Sequence, residues 1–236
     1  MRVSILQPSY LPWLGYFEQM QFADAFVFLN DVQYTKSDWR NRNRIKTERG
    51  ASWITVPVRR LSSKQKIDQA LVNNDRHWTE DHENLLEANY RKAPYFREVL
   101  EILKHRWALP HERLQDLTIG LTRDLAGYLG IRTPFYLSSD FKADGSDPNL
   151  RLVQLCKAMN ADEFYEGKSG QDYLDSSVFE REGIRVVFQN YRHPCYRQFY
   201  GDFVSHLSIV DLLFHHGPSS LEIVTSGHGL APGGNA

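Results

Sequence analysis

Cysteine, long apolar runs and an excess of charge of either sign are all scarce in this 236-residue sequence. The 28 Lys and Arg residues nearly balance the 29 Asp and Glu residues, so no overall electrostatic field attracts nucleic acid or anionic lipid. No apolar run approaches the roughly 20 residues that span a bilayer, and the first residues lead into a polar segment rather than a signal-peptide core. We therefore expect a cytoplasmic protein that binds neither nucleic acid nor a membrane.

The sequence also lacks the patterns of a disulfide framework or a metal site. Its two cysteines, Cys156 and Cys195, have neither the number nor the spacing of disulfide or zinc motifs, and we expect both to be reduced. The nine histidines show no metal-ligand spacing. The sequence therefore predicts no bound metal.

What is present is enough apolar sequence for one core. A chain of this length buries roughly 70% of its unfolded surface, and 42% of its residues are hydrophobic, at similar density along the chain. We therefore predict a single α/β domain over 1–226. The Gly-rich segment 227–236 is expected to be a disordered tail.

Strand and helix patterns alternate along the chain. A strand at 3–6 is stopped by Pro8, helical spacing follows from Leu14, and a second strand spans 25–29. Such a unit normally makes two parallel strands with ligands at their carboxyl ends. Further strands are predicted at 52–58, 133–138, 163–165 and 185–189, and helices at 78–90, 94–106, 114–129, 149–159, after 167–170 and at 204–214. The fold class is therefore a parallel, doubly wound α/β sheet with a helical insertion in the middle.

The segment between the first strand and first helix, 7–16, holds two prolines, two tyrosines, a tryptophan and Gly15. The prolines stiffen the loop, Gly15 permits close backbone approach, and the following helix offers free N–H groups to an anion. We expect an aromatic ligand pocket formed by Tyr10, Trp13 and Tyr16. The alternative is that Trp13 and Tyr16 only plug the top of the sheet.

A second cluster follows the second strand. Asp31 stands at its end as a general base or as a simple turn former. The run 39–46 alternates Asn and Arg after Trp39, a density of donors suited to phosphate or carboxylate, although a solvated loop face fits the same pattern. A basic run with one aromatic is also typical of RNA binding, which the near-neutral chain disfavours.

Two more segments carry candidate chemistry. Lys168 and Ser169 lie in a Gly-Lys-Ser-Gly loop that lacks the first glycine of a P-loop, so we expect a small anion nest with Ser169 as helix cap, or a cap alone. His193 precedes a proline and is a candidate acid or base, whereas Cys195 is a weak nucleophile candidate. Asp211 lies in an apolar helix and is expected to pair with an arginine.

Several of these blocks resemble the signature blocks of the WbqC-like protein family, and the resemblance covers nearly the whole chain. The blocks are 7–17, 31–34, 39–45, 193–198 and 207–214. Membership would imply a setting in bacterial O-antigen, surface-polysaccharide or specialised-metabolite assembly, and an enzyme that attaches amino-acid or acyl groups to amines.

The N-terminal unit also resembles the HIGH-motif nucleotidyltransferases and pantothenate synthetase. In that alignment the His-x-Gly-His motif falls on 13–16, where Gly15 is retained and aromatic Trp13 and Tyr16 replace both histidines. The resemblance implies a HIGH-nucleotidyltransferase-like core, with ATP as the cofactor that such chemistry would need. Loss of the histidines favours a pocket for a sugar, a nucleobase or an acyl donor.

The leading hypothesis is a small-molecule transferase or ligase that attaches an amino-acid or acyl group to an amine of a sugar nucleotide or metabolite. Asp31 or His193 would take the proton, and Asn41, Arg42 and Lys168 would hold the anionic part of the ligand, a nucleotide or a carboxylate. The alternatives are an ATP-dependent adenylating enzyme and a non-catalytic ligand-binding partner. The remaining predicted binding residues are Gln7, Gly15, Tyr34, Trp39, Asn43, Ser169, Tyr196 and Gln198.

Overall fold

The centre of the molecule is a five-stranded parallel sheet. A computed structural model describes residues 1–59, 62, 64–143 and 147–229. The order of strands across the sheet is β7-β2-β1-β8-β9, and every neighbouring pair is parallel. The strands span Arg2–Leu6 (β1), Ala25–Phe28 (β2), Phe135–Leu137 (β7), Glu163–Glu166 (β8) and Arg185–Phe188 (β9).

Helices cover both faces of this sheet. Val3 and Ile5 face a core shared with helix α5 (Pro148–Ala158) and helix α6 (Ser176–Glu180). Alternate residues of β2, including Phe26, face a larger core on the opposite side. That core is completed by α1 (Leu14–Gln21), α2 (Trp78–Tyr90), α3 (Phe96–Trp107), α4 (Leu114–Leu129), α7 (Ile209–His216) and α8 (Ser220–Ser226). The predicted doubly wound fold is confirmed.

The strand order creates a crevice. From β1 the chain moves outward through β2 to β7, and it then returns to the other side of β1 to add β8 and β9. The direction of winding therefore reverses between β1 and β8. In open α/β sheets, ligands bind outside the carboxyl ends of the strands at such a reversal.

The helical insertion is also confirmed. Helices α2, α3 and α4 lie between β2 and β7, and α4 ends at Gly130, whose φ of +84° is the left-handed stop that glycine adopts readily. Helices α2 and α4 have the predicted bounds because their apolar residues repeat with helical spacing over many turns.

The basic segment after Trp39 is a strand rather than a loop. Strand β3 (Arg42–Thr47) forms an antiparallel hairpin with β4 (Gly50–Thr55), because Asn43 and Ile45 alternate inward. The strand predicted at 52–58 is confirmed over 52–55, but its predicted continuation to 58 is wrong, since β4 ends before Pro57. A separate pair, β5 (Val58–Arg59) and β6 (Leu71–Val72), follows.

The last helical segment begins later than predicted. Residues 204–208 are not helical, and α7 starts after Ser208, whose hydroxyl accepts a hydrogen bond from the Val210 N–H. This serine supplies an N-cap that the apolar pattern alone did not locate.

The predicted disordered tail divides into two parts. Residues 227–229 pack against the protein: the Arg192 N–H donates to the Gly227 carbonyl at 2.8 Å, and the His228 ring stacks on Phe22 at 3.6 Å between centroids. The rest of that prediction, 230–236, lies outside the described residues. Within the described chain, no helix has the length and apolarity needed to cross a bilayer.

Candidate functional site

A cleft of about 550 Å³ opens at the carboxyl ends of β1 and β8, where the sheet changes its direction of winding. Its volume is within the range of small-molecule sites. Its lining comes from the loop after β1 with helix α1, the segment 39–43, the end of β8 with the following 3₁₀ helix, and the segment after β9. The predicted site residues among its lining are Gln7, Trp13, Tyr16, Trp39, Asn43, Lys168 and Ser169.

The loop after β1 is a rigid wall of this cleft. The Tyr16 hydroxyl donates to the Gln7 carbonyl at 3.1 Å, which ties the start of helix α1 to the end of β1. Leu11 adopts a φ of +46°, unusual for a branched residue, and the Asn43 amide donates to its carbonyl at 2.7 Å. Asn43 therefore clamps a strained turn at the edge of the site.

Tyr10 occupies the core instead of the cleft. Its side chain is fully buried, and its hydroxyl hydrogen-bonds to His82 Nδ1 at 2.9 Å. Burial lowers the pKa of His82 to about 4, so the imidazole is neutral at pH 7. Tyr10, which was predicted to form the pocket, is therefore part of the hydrophobic core and not of the cleft lining.

Trp13 packs directly over Gly15. A methyl group at Gly15 would fall 2.3 Å from the Trp13 indole, so only glycine fits there. The indole also stacks on His206 at 5.1 Å and meets the edge of Tyr191 at 5.6 Å, and all three side chains line the cleft. The indole therefore covers Gly15, the residue of the HIGH-type motif that this sequence retains.

Glu166, which no motif indicated, is the cleft's buried carboxyl group. It is the last residue of β8 and is 4% exposed. It accepts hydrogen bonds from the Gly167 N–H at 2.9 Å and from the Tyr173 hydroxyl at 3.4 Å. Burial raises the pKa of Glu166 to about 7. Such a group exchanges protons readily near neutral pH.

The 3₁₀ helix Lys168–Asp172 covers this carboxyl group. A methyl group at Gly170 would fall 2.4 Å from Glu166 Cγ, so a glycine is needed for the close approach. Lys168 is exposed at the cleft. The predicted cap at Ser169 is wrong, because the cap residue is Gly167 and no side chain caps this helix.

Arg40 is the second cation of the cleft. Its guanidinium donates to the Gln7 side-chain oxygen at 3.0 Å, and its Nε is 3.9 Å from the nearest carboxylate oxygen, on Asp38. Burial lowers the pKa of Arg40 from its usual high value. A guanidinium held this way, with one distant carboxylate, is suited to an anionic ligand.

A network of buried polar groups forms the floor of the cleft. Glu18, fully buried, accepts hydrogen bonds from Gln189 Nε2, from His228 Nδ1 and, at 2.8 Å, from the Tyr165 hydroxyl. Gln189 also donates to the Gly15 carbonyl at 2.8 Å. Gln189 therefore links the buried carboxyl group to the cleft that it lines.

The two predicted proton acceptors lie outside the residues that line the cleft. Asp31, after β2, accepts a hydrogen bond from the Ser138 hydroxyl and forms an ion pair with Arg151. His193 packs behind Trp13, its Nδ1 lies 3.0 Å from the Pro194 carbonyl, and burial lowers its pKa to about 4. Their catalytic roles stay predictions.

Two other predicted binding residues have structural contacts. The buried Asn41 amide donates to the Val56 carbonyl at 2.7 Å. The backbone N–H of the half-buried Tyr34 donates to the Gln65 carbonyl at 2.8 Å. Arg42 lies over the Trp53 ring on the hairpin, outside the cleft lining.

The block around 196–211 forms a separate buried network. Asp211 accepts hydrogen bonds from the Tyr90 hydroxyl at 2.7 Å and from Gln198 Nε2 at 2.9 Å, and burial raises its pKa. The prediction that Asp211 pairs with an arginine is therefore wrong. Gln198 also accepts from Lys46 at 3.1 Å, and the Tyr196 ring packs into the same core.

Neither cysteine belongs to the cleft lining. Cys156 is buried, which raises its pKa to about 12, and Cys195 is exposed. The described residues contain no cluster of three or more His, Cys, Asp or Glu side chains that would hold a metal ion.

Comparison with known proteins identifies the family. No solved structure matches the chain. It is 40% identical over 225 residues to "Uncharacterized protein Rv1507c" of Mycobacterium tuberculosis, covering 92% of this chain and 94% of that protein. The model of the WbqC-like protein family matches residues 7–223. This chain therefore belongs to the WbqC-like protein family.

Proposed function

We propose that this protein is a transferase that attaches an acyl or aminoacyl group to an amine of an anionic small molecule bound in the cleft. The proposal rests on one observation: the carboxyl group of Glu166, whose pKa is raised by burial to about 7, lies in a cleft with two cationic side chains. Because this pKa is near neutral pH, the group is available in both protonation states.

The proposed chemistry uses Glu166 as base and then acid. The carboxylate takes a proton from the amine as its nitrogen attacks the acyl carbon, and it returns that proton to the leaving group as the bond to the acyl carbon breaks. General acid–base catalysis of this kind contributes roughly 10²- to 10⁴-fold to rate. The geometry favours Glu166 over Asp31, which is already paired with Arg151 outside the cleft lining.

The lining of the cleft supports the ligand class. Arg40 offers a planar fork and Lys168 a mobile point charge, a combination suited to phosphate or carboxylate groups. The rings of Trp13, Trp39 and Tyr191 line the cleft and suit contact with a sugar ring or a nucleobase. A sugar nucleotide combines these features and agrees with the polysaccharide setting that the family resemblance implies.

Adenylation with ATP is less well supported. The indole of Trp13 occupies the space over Gly15, and Tyr16 is committed to the Gln7 carbonyl. Neither ring offers the charged donors that a triphosphate needs. Calorimetry with ATP and magnesium tests this alternative directly, since it requires measurable binding.

Turnover with a panel of activated acyl donors and amino-sugar nucleotide acceptors tests the proposal. We expect kcat/KM of the wild type to rise with pH through about 7. In Glu166→Gln, kcat/KM should fall at least 100-fold and should no longer depend on pH in this range. Asp172→Asn, which removes an exposed carboxylate from the adjoining 3₁₀ helix, is the matched control.

Three outcomes separate the alternatives. Full activity in Glu166→Gln would contradict the assigned role of this residue. Loss of turnover in Asp31→Asn or His193→Ala, with Glu166→Gln active, would restore the roles predicted from the sequence. Ligand binding without product under every donor would instead indicate a non-catalytic binding protein.

A further inference from the structure

We infer that the β3–β4 hairpin carries a nucleoside-diphosphate subsite, formed by Arg42, Arg44, Trp39 and Trp53 and continuous with the cleft. The inference rests on the proposed function and names the part of the ligand that lies farthest from Glu166. These four residues are called the hairpin platform below.

The strand alternation places these side chains together. Arg42 and Arg44 are two positions apart on β3 and so share one face, and Arg44 is directly opposite Trp53 in the register of the hairpin. The Arg42 guanidinium lies 4.0 Å from the Trp53 ring, and the rings of Trp39 and Trp53 are 5.4 Å apart. The platform is therefore a continuous layer of two indoles and two guanidinium groups.

The platform is unusually open for its composition. Trp39 is 40% exposed and Trp53 is 43% exposed, whereas Trp78 and Trp107 are buried. Partly exposed indoles next to positive charge suit a planar, anionic partner, because a base packs against the rings while the charges bind its phosphates.

Neither arginine has an acidic partner within the part of the chain that the structure describes. Among the described residues neither forms an ion pair: Arg42 donates to the Ser37 carbonyl, and Arg44 donates to the His206 carbonyl at 3.4 Å. The Nε atom of each is buried and makes no hydrogen bond within the described part of the chain. Phosphate oxygens are the acceptors that a guanidinium fork binds bidentately, so a diphosphate would supply the anionic partner that both guanidinium groups lack among the described residues.

The platform joins the cleft without a break. Trp39 belongs to both, and His206, whose carbonyl accepts from Arg44, also lines the cleft. Arg40 continues the row of cations toward Gln7. A ligand with its base and diphosphate on the platform would therefore have its sugar directed toward the carboxyl end of β1.

The combination of groups selects the ligand class. A simple carboxylate would satisfy one guanidinium and leave both indoles exposed. A neutral sugar would use the indoles and leave the guanidinium donors unsatisfied. A nucleoside diphosphate uses both kinds of group at once, because it joins an aromatic base to two phosphates.

Titration calorimetry on the full chain, with UDP, uridine and ribose 5-phosphate as separate probes, tests the inference. We expect UDP to bind, each half-molecule to bind at least tenfold more weakly, and added salt to weaken UDP binding. Trp53→Ala and Arg42→Gln should each weaken UDP binding at least tenfold. Arg49→Gln, in the turn of the same hairpin, removes the same charge and should leave it unchanged.

Folding is checked by the thermal midpoint and near-UV circular dichroism of each variant, so a disrupted hairpin is recognised. Wild-type protein that does not bind UDP, or platform variants that bind it as well as wild type, would overturn the inference. Equal binding of ribose 5-phosphate and UDP would remove the role of the indoles. Glu166→Gln should bind UDP normally, which separates failure of the platform from failure of the catalytic proposal.

Discussion

Replacing Glu166 by Gln should stabilise the folded protein at alkaline pH while it removes activity. Gln keeps an oxygen that accepts from the Gly167 N–H and has nearly the same shape, but it carries no charge to bury. In the folded protein burial raises the pKa of Glu166 from 4.5 to about 7. The substitution therefore removes the free energy required to keep a buried carboxylate ionised.

The magnitude and sign follow from proton linkage. Below pH 4.5 both states of the wild type are protonated at Glu166, and the residue adds no pH dependence. Between pH 4.5 and about 7 the unfolded state releases its proton first, so the free energy of unfolding falls as pH rises. Above pH 7 the fall in unfolding free energy is complete, and at 1.36 kcal/mol per pKa unit it amounts to about 3 kcal/mol.

Urea denaturation of both proteins at pH 5, 6, 7 and 8 measures this effect. The difference in unfolding free energy between Glu166→Gln and wild type should be small at pH 5 and approach about 3 kcal/mol at pH 8. Taking the difference cancels the titration of the groups that the two proteins share. Parallel pH profiles for the two proteins would refute the reasoning, as would a pH-dependent difference of the same size in Asp172→Asn.

Two further substitutions test the floor and wall of the cleft. His228→Ala removes a donor to the buried Glu18 and should lower the thermal midpoint by about 4–12 °C, corresponding to about 2–3 kcal/mol. The control His105→Ala, at an exposed position, should change the midpoint little. Equal midpoints for the two variants would show that residues 227–229 are not docked. Gly15→Ala should destabilise the protein by about 1–3 kcal/mol because its methyl group meets the Trp13 ring. Gly127→Ala, in open space on α4, should stabilise the protein by about 0.5–1 kcal/mol. Chemical denaturation that finds the Gly15 variant more stable than the Gly127 variant would contradict the packing of Trp13 on Gly15.

Local pattern accounts for most of the fold that the sequence predicted. The helical repeat of α2 and α4, and the strand–loop–helix–strand unit that begins at Arg2, depend on residues close together in the chain. The same locality explains why the loop after β1 was recognised as a wall of the site, with Gln7, Trp13 and Tyr16 among its lining. The hairpin was missed because its polar residues alternate with buried Asn43 and Ile45, and this burial is not visible in composition.

The choice among candidate charged residues depended on tertiary structure. Glu166 ends β8 and Asp31 follows the end of β2 by three residues, so both lie near the carboxyl end of a parallel strand and the local sequence does not distinguish their roles. Because β8 adds to the open side of β1, while β2 lies between β1 and β7, Glu166 faces the crevice and Asp31 pairs with Arg151. Likewise, Arg40 lies in the cleft and Arg42 on the hairpin because the strand begins between them.

Neighbouring residues were thus enough to predict the parallel strands, the long helices and the loop that borders the cleft, but not the β3–β4 hairpin. Which carboxyl group lines the cleft, and how far its pKa is raised, depends on the tertiary structure. Strand order arises from packing between distant segments, and the pKa of Glu166 arises from burial by those segments.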